Sequence, residues 1–219
     1  MPRFAHTFVA ALALVVSLSA FAEEGNWETV ATGNITVKAR TRSGTAIREI
    51  WAEGDMDAPV QDIQSAILDP EAYPKFMPYV KECRYLGTKA EPDGSRYVYT
   101  RLDLPMITSR DYVVKVDVPQ KVDGSGKGNF ENHWIAAPDK IPSRSNVVRL
   151  RVNEGSWLVT PKDNGKSHVV YKFTVDPGGM VSSFAANMGN KSGISDTFKA
   201  VETEAKKRKA SRETGSGGK

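Results

Sequence analysis

The chain has 219 residues, a mass of 24.0 kDa and a net charge of +4, with 40% hydrophobic and 26% charged residues and a mean hydropathy of −0.41. These proportions describe an ordinary globular chain of one domain and exclude collagen-like, wholly disordered and multi-span membrane classes. A lone cysteine, Cys83, and three histidines exclude an internal disulfide framework and a cysteine-based zinc cluster, and they leave little for a histidine metal site.

Residues 1–22 read as an export signal. Arg3 and the α-amino group give a positive start, residues 8–18 are almost wholly apolar, and Ala20-Phe21-Ala22 supplies the small-x-small pattern that signal peptidase requires. The apolar run is too short to span a bilayer and is followed by Glu23 and Glu24. Cleavage is expected after Ala22, giving a periplasmic or secreted protein whose domain covers residues 23–210 and whose flexible tail covers 211–219. Seven basic and three acidic residues fall in 199–219, so the tail accounts for the positive balance and for the pI of about 9.1. No basic face accompanies a nucleic-acid reading module, and nucleic-acid binding is set aside. The cluster Lys206-Lys207-Arg208-Lys209 reads first as a solvated helix end whose cations suit the dipole, and second as a contact for anionic membrane lipid.

Residues 35–42 and 46–52 are strands joined by a short hairpin at Ser43-Gly44. Pro59 opens a helix in which Val60, Ile63, Ala66 and Ile67 share a face, and Asp69-Pro70 stops it. The segment 73–79 is too rich in proline for a long helix, while its aromatics call for burial. Strands follow at 83–87, 97–104, 111–118, 128–136, 146–154, 156–161 and 168–176, separated mostly by Gly/Asp/Ser turns. The short spacers predict an antiparallel meander. In the last strand Val169, Tyr171, Phe173 and Val175 form the consistently apolar face and should point inward. The period then changes to that of a helix: Val181, Phe184, Ala185 and Met188 make one apolar face, continued by Ile194, Phe198, Val201 and Ala205. Gly189 and Gly193 interrupt this element, as a packing bend or as a hinge.

The order of elements, and several local stretches, resemble the START-related lipid-transfer (helix-grip) family. "SRDYVVKV" at 109–116 is similar to that family's strand opening. "EGSWLVTP" at 154–161, with "VVYKFTVDPGGMVSSFAANM" at 169–188, is similar to its last two strands, turn and helix start. "WAEGDMDAPVQDIQSAILDPEAYPKFMPYVKECRYL" resembles its early strand, helix and aromatic segment. The resemblance covers roughly residues 47–207. It implies an α+β fold, a curved antiparallel sheet wrapped around a long C-terminal helix, enclosing one apolar molecule such as a lipid or sterol. The helix would roof the cavity and move as a lid. Sterol-carrying members place an acid and an arginine on neighbouring cavity strands; the corresponding positions here hold Arg101 and Val116, so that pair is not retained. Arg101 then has two readings: a headgroup-binding cavity residue, or a solvent-facing strand arginine paired with Asp103 or Asp111.

The candidate ligand-binding residues are Arg101, Trp134, Trp157, Tyr171, Phe173, Phe184, Met188 and Phe198. Arg110 and Asp111 point to opposite faces, and Arg149 with Arg151 reads first as an exposed strand face and second as a pair for ligand recognition. His133 and His168 lack partners at metal-ligand spacing, and no nucleophile elbow or phosphate loop is present. The expectation is a monomeric, non-catalytic carrier of one lipid or other apolar molecule through the periplasm, without a cofactor. A cyclase- or hydrolase-like enzyme using the same cavity is the alternative, and an interaction module with a filled interior is a third.

Overall fold

A computed structural model describes residues 26–42, 45, 47–123, 125–176 and 191–216. The described chain runs β1 (Glu28–Ala31), β2 (Ile35–Thr41), β3 (Arg48–Met56), α1 (Val60–Ile67), a 3-10 segment (Pro70–Lys75), β4 (Val80–Leu86), β5 (Arg96–Leu102), β6 (Arg110–Gln120), β7 (Phe130–Ala136), β8 (Val148–Arg149), β9 (Asn153–Pro161), β10 (Ser167–Val175) and α2 (Lys191–Ser216). Among these residues the strands form one curved sheet in the order β1-β2-β3-β10-β9-β7-β6-β5-β4, antiparallel throughout, with the two-residue β8 pairing parallel to β6 off that path. The expected meander holds from β4 to β10. The N-terminal hairpin is placed on the far side of the last strand, so that β3 pairs with β10, and α1 with the 3-10 segment carries the chain across to β4 at the opposite edge.

The core explains the helix positions. Val60, Ile63, Ala66 and Ile67 recur at helical spacing and are buried, and Pro70 cannot continue α1. On α2 the expected face, Ile194, Phe198, Val201 and Ala205, is buried to 4% exposure or less. It packs with α1 and with Val37, Ala39, Ile50 and Ala52 of β2 and β3 in one cluster. Small residues at 39 and 52 let the helices approach this half of the sheet. Ion pairs then orient α2 on α1. Arg208 reaches Asp69 at 2.8 Å and the Ser65 carbonyl at 2.8 Å, and Arg212 meets the buried Asp62 at 2.9 Å. These contacts divide the basic cluster: Lys206 pairs with Glu202 and Asp57, and Lys207 is the most exposed of the paired cations. The Arg212 pair also carries the helix to Ser216, past residue 210, where the sequence places the start of a flexible tail. Among the described residues no helix is long and apolar enough to cross a membrane.

One strand is new and two local expectations need correction. Strand β1 has no clear alternation in the sequence and forms by pairing with β2. The two strands expected at 146–154 and 156–161 are instead one strand, β9, preceded by a turn with Asn146 at φ 59° and by β8. The reason is Arg149, which was expected on an exposed face. Its side chain is 5% exposed, and Nε and Nη2 donate to the fully buried carboxylate of Asp111 at 2.7 and 3.1 Å. It also donates to the carbonyls of Pro138, Ile141 and Pro142, so one guanidinium pins the 138–142 segment and β8 to β6. Arg151, by contrast, is exposed as expected and pairs with Asp139.

Removing one member of a buried pair strands the other charge, at a cost of about 3–5 kcal/mol. Arg149→Met should therefore lower the unfolding free energy in urea by about that amount, while adding Asp111→Asn should restore part of it. Equal stability of wild type and Arg149→Met would show that the pair does not hold this corner.

Candidate ligand cavity

Strand alternation builds the wall of a cavity of about 390 Å³. Val98, Thr100 and Leu102 of β5 face it, as do Tyr112, Val114, Val116 and Val118 of β6. Asn132 and Trp134 of β7, Asn153 and Trp157 of β9, and Tyr171, Phe173 and Val175 of β10 continue the wall. The end of α1 and the 3-10 segment close one side with Ile67, Leu68, Pro70, Tyr73 and Met77. A volume in this range, with aromatic and aliphatic lining and a few polar groups, is typical of a small-molecule site.

One side of the wall is an aromatic stack. Trp157 and Tyr171 lie face to face with centroids 3.9 Å apart, Tyr171 stacks on Phe173 at 4.9 Å, and Trp134 stands 6.0 Å from Tyr171. Gly155 is what lets Trp134 lie across β9: a Cβ there would sit 2.4 Å from the indole ring and 2.2 Å from the Lys172 carbonyl oxygen. The indole Nε1–H then donates to Asn153 Oδ1 at 2.8 Å. The hydroxyls of Tyr73 and Tyr85 donate to the carbonyls of Ile67 and Leu68 at 2.6 and 2.8 Å, satisfying free carbonyls at the end of α1 and leaving the rings toward the cavity. Thr100 Oγ1 lies 3.1 Å from Cys83 Sγ.

Burial sets the acid–base character of the wall and of Cys83 beside it. It pushes the phenols of Tyr73, Tyr112 and Tyr171 well above their ordinary range and raises the Cys83 thiol to about 12. All four groups stay protonated near neutrality. No aspartate, glutamate or histidine lines the cavity among the described residues, and none of the described His, Cys, Asp and Glu side chains form a group of three or more placed to hold a metal ion.

Of the candidates from the sequence, Trp134, Trp157, Tyr171 and Phe173 lie together on the wall. Phe198 does not line it; it packs against Trp157 at 5.8 Å and Tyr171 at 6.5 Å from the core side, bracing the stack instead of roofing the space. Phe184 and Met188 lie outside the described residues. Arg101 is absent from the wall, and the reading of it as a cavity arginine is corrected. On β5 it shares the outer face with Tyr97 and Tyr99 and sits in register between Glu82 and Asp111. The strand arginine on the inner face is Arg96, two residues before Val98, and the parity of Val98 and Leu102 in the sequence already places it there. Lys121, Tyr112, Asn132 and Asn153 are further wall residues that sequence reasoning passed over.

With this geometry in place, the chain is seen to belong to the polyketide cyclase/dehydrase and lipid transport family, whose model matches residues 49–205. The STAR-related lipid transfer protein of Xanthomonas axonopodis is similar at 26% identity and a TM-score of 0.68, over 82% of this chain and 98% of that one. Human STARD10 shares the fold at 15% identity and a TM-score of 0.71, over 86% of this chain and 76% of that one. The uncharacterised protein PA1579 of Pseudomonas aeruginosa is 26% identical over 155 residues, 70% of this chain and 73% of its own. The fold is thus the START helix-grip, as the sequence resemblance implies.

The protonated wall has a consequence for stability. An acid whose pKa is raised on folding holds its proton longer in the native state, so stability is full below the unfolded-state pKa and falls as pH rises above it. The Cys83 thiol alone should make the unfolding free energy fall by up to about 1.4 kcal/mol per pH unit above pH ~9, and the buried tyrosines should steepen the loss above pH ~10. Urea titrations between pH 7 and 10.5 should show this slope, and Cys83→Ala should flatten the part that begins near pH ~9. A wild-type profile flat to pH ~10.5 would contradict it.

Proposed function

We propose that the protein binds one hydrophobic or amphipathic molecule in this cavity and carries it unchanged through the periplasm after export. The observation that carries the reading is the cavity itself: an aromatic and aliphatic wall around about 390 Å³, with the Tyr73, Tyr85 and Trp134 donors turned onto the protein's own acceptors. Such a wall gains from removing apolar ligand surface from water, at about 25 cal/mol per Å². Burial of some 300 Å² of ligand would supply on the order of 7 kcal/mol before the costs of association. A wall without carboxylates or imidazoles gives general acid–base chemistry little to work with. The lipid-transfer relatives support carriage, and the leader with its Ala20-Phe21-Ala22 site supports export.

The direct experiment is native mass spectrometry of the protein purified from the periplasm of its own host, with organic extraction alongside. The expected result is a monomer starting at Glu23 that carries a one-to-one mass increment extractable as an intact lipid or other apolar molecule. The family's description also names cyclisation and dehydration. Recovery of a cyclised or dehydrated product from an added precursor would favour that enzymatic reading over carriage.

Filling the cavity should separate binding from folding. Val114 sits mid-wall and is 5% exposed, and Val114→Phe adds a ring into open space. The variant should keep its unfolding free energy in urea within about 1 kcal/mol of wild type while losing most of the co-purifying ligand. Full ligand occupancy in a folded Val114→Phe protein would place the ligand elsewhere.

A further inference from the structure

The cavity wall is electrically one-sided. It carries two cations, Arg96 and Lys121, and no carboxylate among the described residues. Strand register puts both at one end: Arg96 opens β5 opposite Val116, and Lys121 follows the last residue of β6. The other end is apolar, with Met77, Leu102, Leu150 and Val175, and its one amide, Asn153, accepts from the Trp134 indole.

Arg96 is also unusual among the arginines. Arg42, Arg144, Arg149, Arg208 and Arg212 each meet a carboxylate within 3.0 Å. Arg96 meets none among the described residues. Its guanidinium carbon lies 3.3 Å from the centroid of the Tyr85 ring, itself on the wall. One Nη donates to the Gly87 carbonyl at 3.2 Å, and the buried Nε has no acceptor. Stacking on Tyr85 holds the guanidinium plane while leaving N–H edges unused. A partly desolvated cation without a counter-ion is unfavourable by itself, and a planar fork of donors is matched in geometry by a carboxylate or phosphate.

We infer that the cavity selects an amphiphile with an anionic oxyacid head, carboxylate or phosphate, seated at Arg96 with its chain running toward Leu102 and Leu150. The inference rests on the carrier reading above and names the chemistry of its ligand. Lys121 adds long-range attraction at the same end, and the apolar end excludes a second polar group.

Calorimetric titration of the purified protein with oleate, oleyl alcohol, oleoyl lysophosphatidate and inorganic phosphate tests it, because the three oleyl compounds share one chain and differ in the head. Oleate or the lysophosphatidate should bind at least about tenfold tighter than the alcohol, a difference of about 1.4 kcal/mol. Whichever binds tighter assigns the oxyacid. Arg96→Met should bring the anions down to the affinity of the alcohol and leave the alcohol unchanged, and Arg96→Lys, which keeps charge without the fork, should fall between. Equal affinity of alcohol and anions, or anion affinities unchanged in both variants, would overturn the anionic head while leaving the carrier reading intact. Inorganic phosphate binding as tightly as the lysophosphatidate would overturn the amphiphile, since the chain would then contribute nothing. Failure of all three oleyl compounds to bind would remove the carrier reading as well.

Discussion

The aromatic stack of Trp157, Tyr171 and Phe173, braced from behind by Phe198, is the border on which the structure turns. On one side of it the sheet is covered. Valine and alanine positions on β2 and β3 admit α1 and α2 at close range, and their side chains merge into one core. On the other side the inner residues of β5 and β6 belong to separate, smaller clusters and face space. A curved sheet of this width cannot be covered along its whole inner face by the described helices. The stack holds the packed half apart from the half that is left hollow. Its members are rigid and large, so they keep the boundary in place.

The charged residues follow the same division. Arginines that dock α2 or fold the 138–142 segment are matched with carboxylates, and the deepest pair, Arg149 with Asp111, is also bonded to three carbonyls. Such pairs fix geometry at the expense of desolvation, and they work here because the remaining donors are satisfied. Arg101 and Arg96 each hold an Nε without an acceptor, but their surroundings differ. Arg101 lies on the outer face, in register between Glu82 and Asp111. Arg96 is opposed only by Val116, with an aromatic ring beneath it and the cavity beside it.

Much of this was legible in the sequence, and the failures have identifiable causes. The β10 alternation and the α2 face were readable because each buries an apolar set at a single period: Val169 and Phe173 are buried, Tyr171 and Val175 line the cavity, and residues 194, 198, 201 and 205 are buried together. Parity decided the error at Arg101, since a one-residue offset in placing a strand against a family pattern exchanges its two faces. The region 146–154 was misread because three alternating apolar residues, Val148, Leu150 and Val152, look like a strand, while the determinant of its path is a distant carboxylate, Asp111. No local pattern reports a contact across 38 positions. The same holds for Arg212, whose partner Asp62 lies 150 residues away and extends the helix past its compositional end.

Family membership alone leaves carriage and chemistry open, because one fold serves both. The side chains narrow the choice. General acid–base catalysis works best with a group whose pKa lies near working pH, within reach of the ligand. Here burial drives the phenols of Tyr73, Tyr112 and Tyr171, and the Cys83 thiol beside the wall, up and away from neutrality. The hydroxyls nearest α1 are engaged with main-chain carbonyls, so moving a proton from them would break the contacts that close the cavity. What remains available to a ligand is apolar surface, a ring stack and a cationic end, which are the means of holding and orienting a molecule. On the carrier reading proposed above, such a site would stabilise its ligand about equally throughout its stay, and uniform stabilisation of that kind gives affinity without turnover.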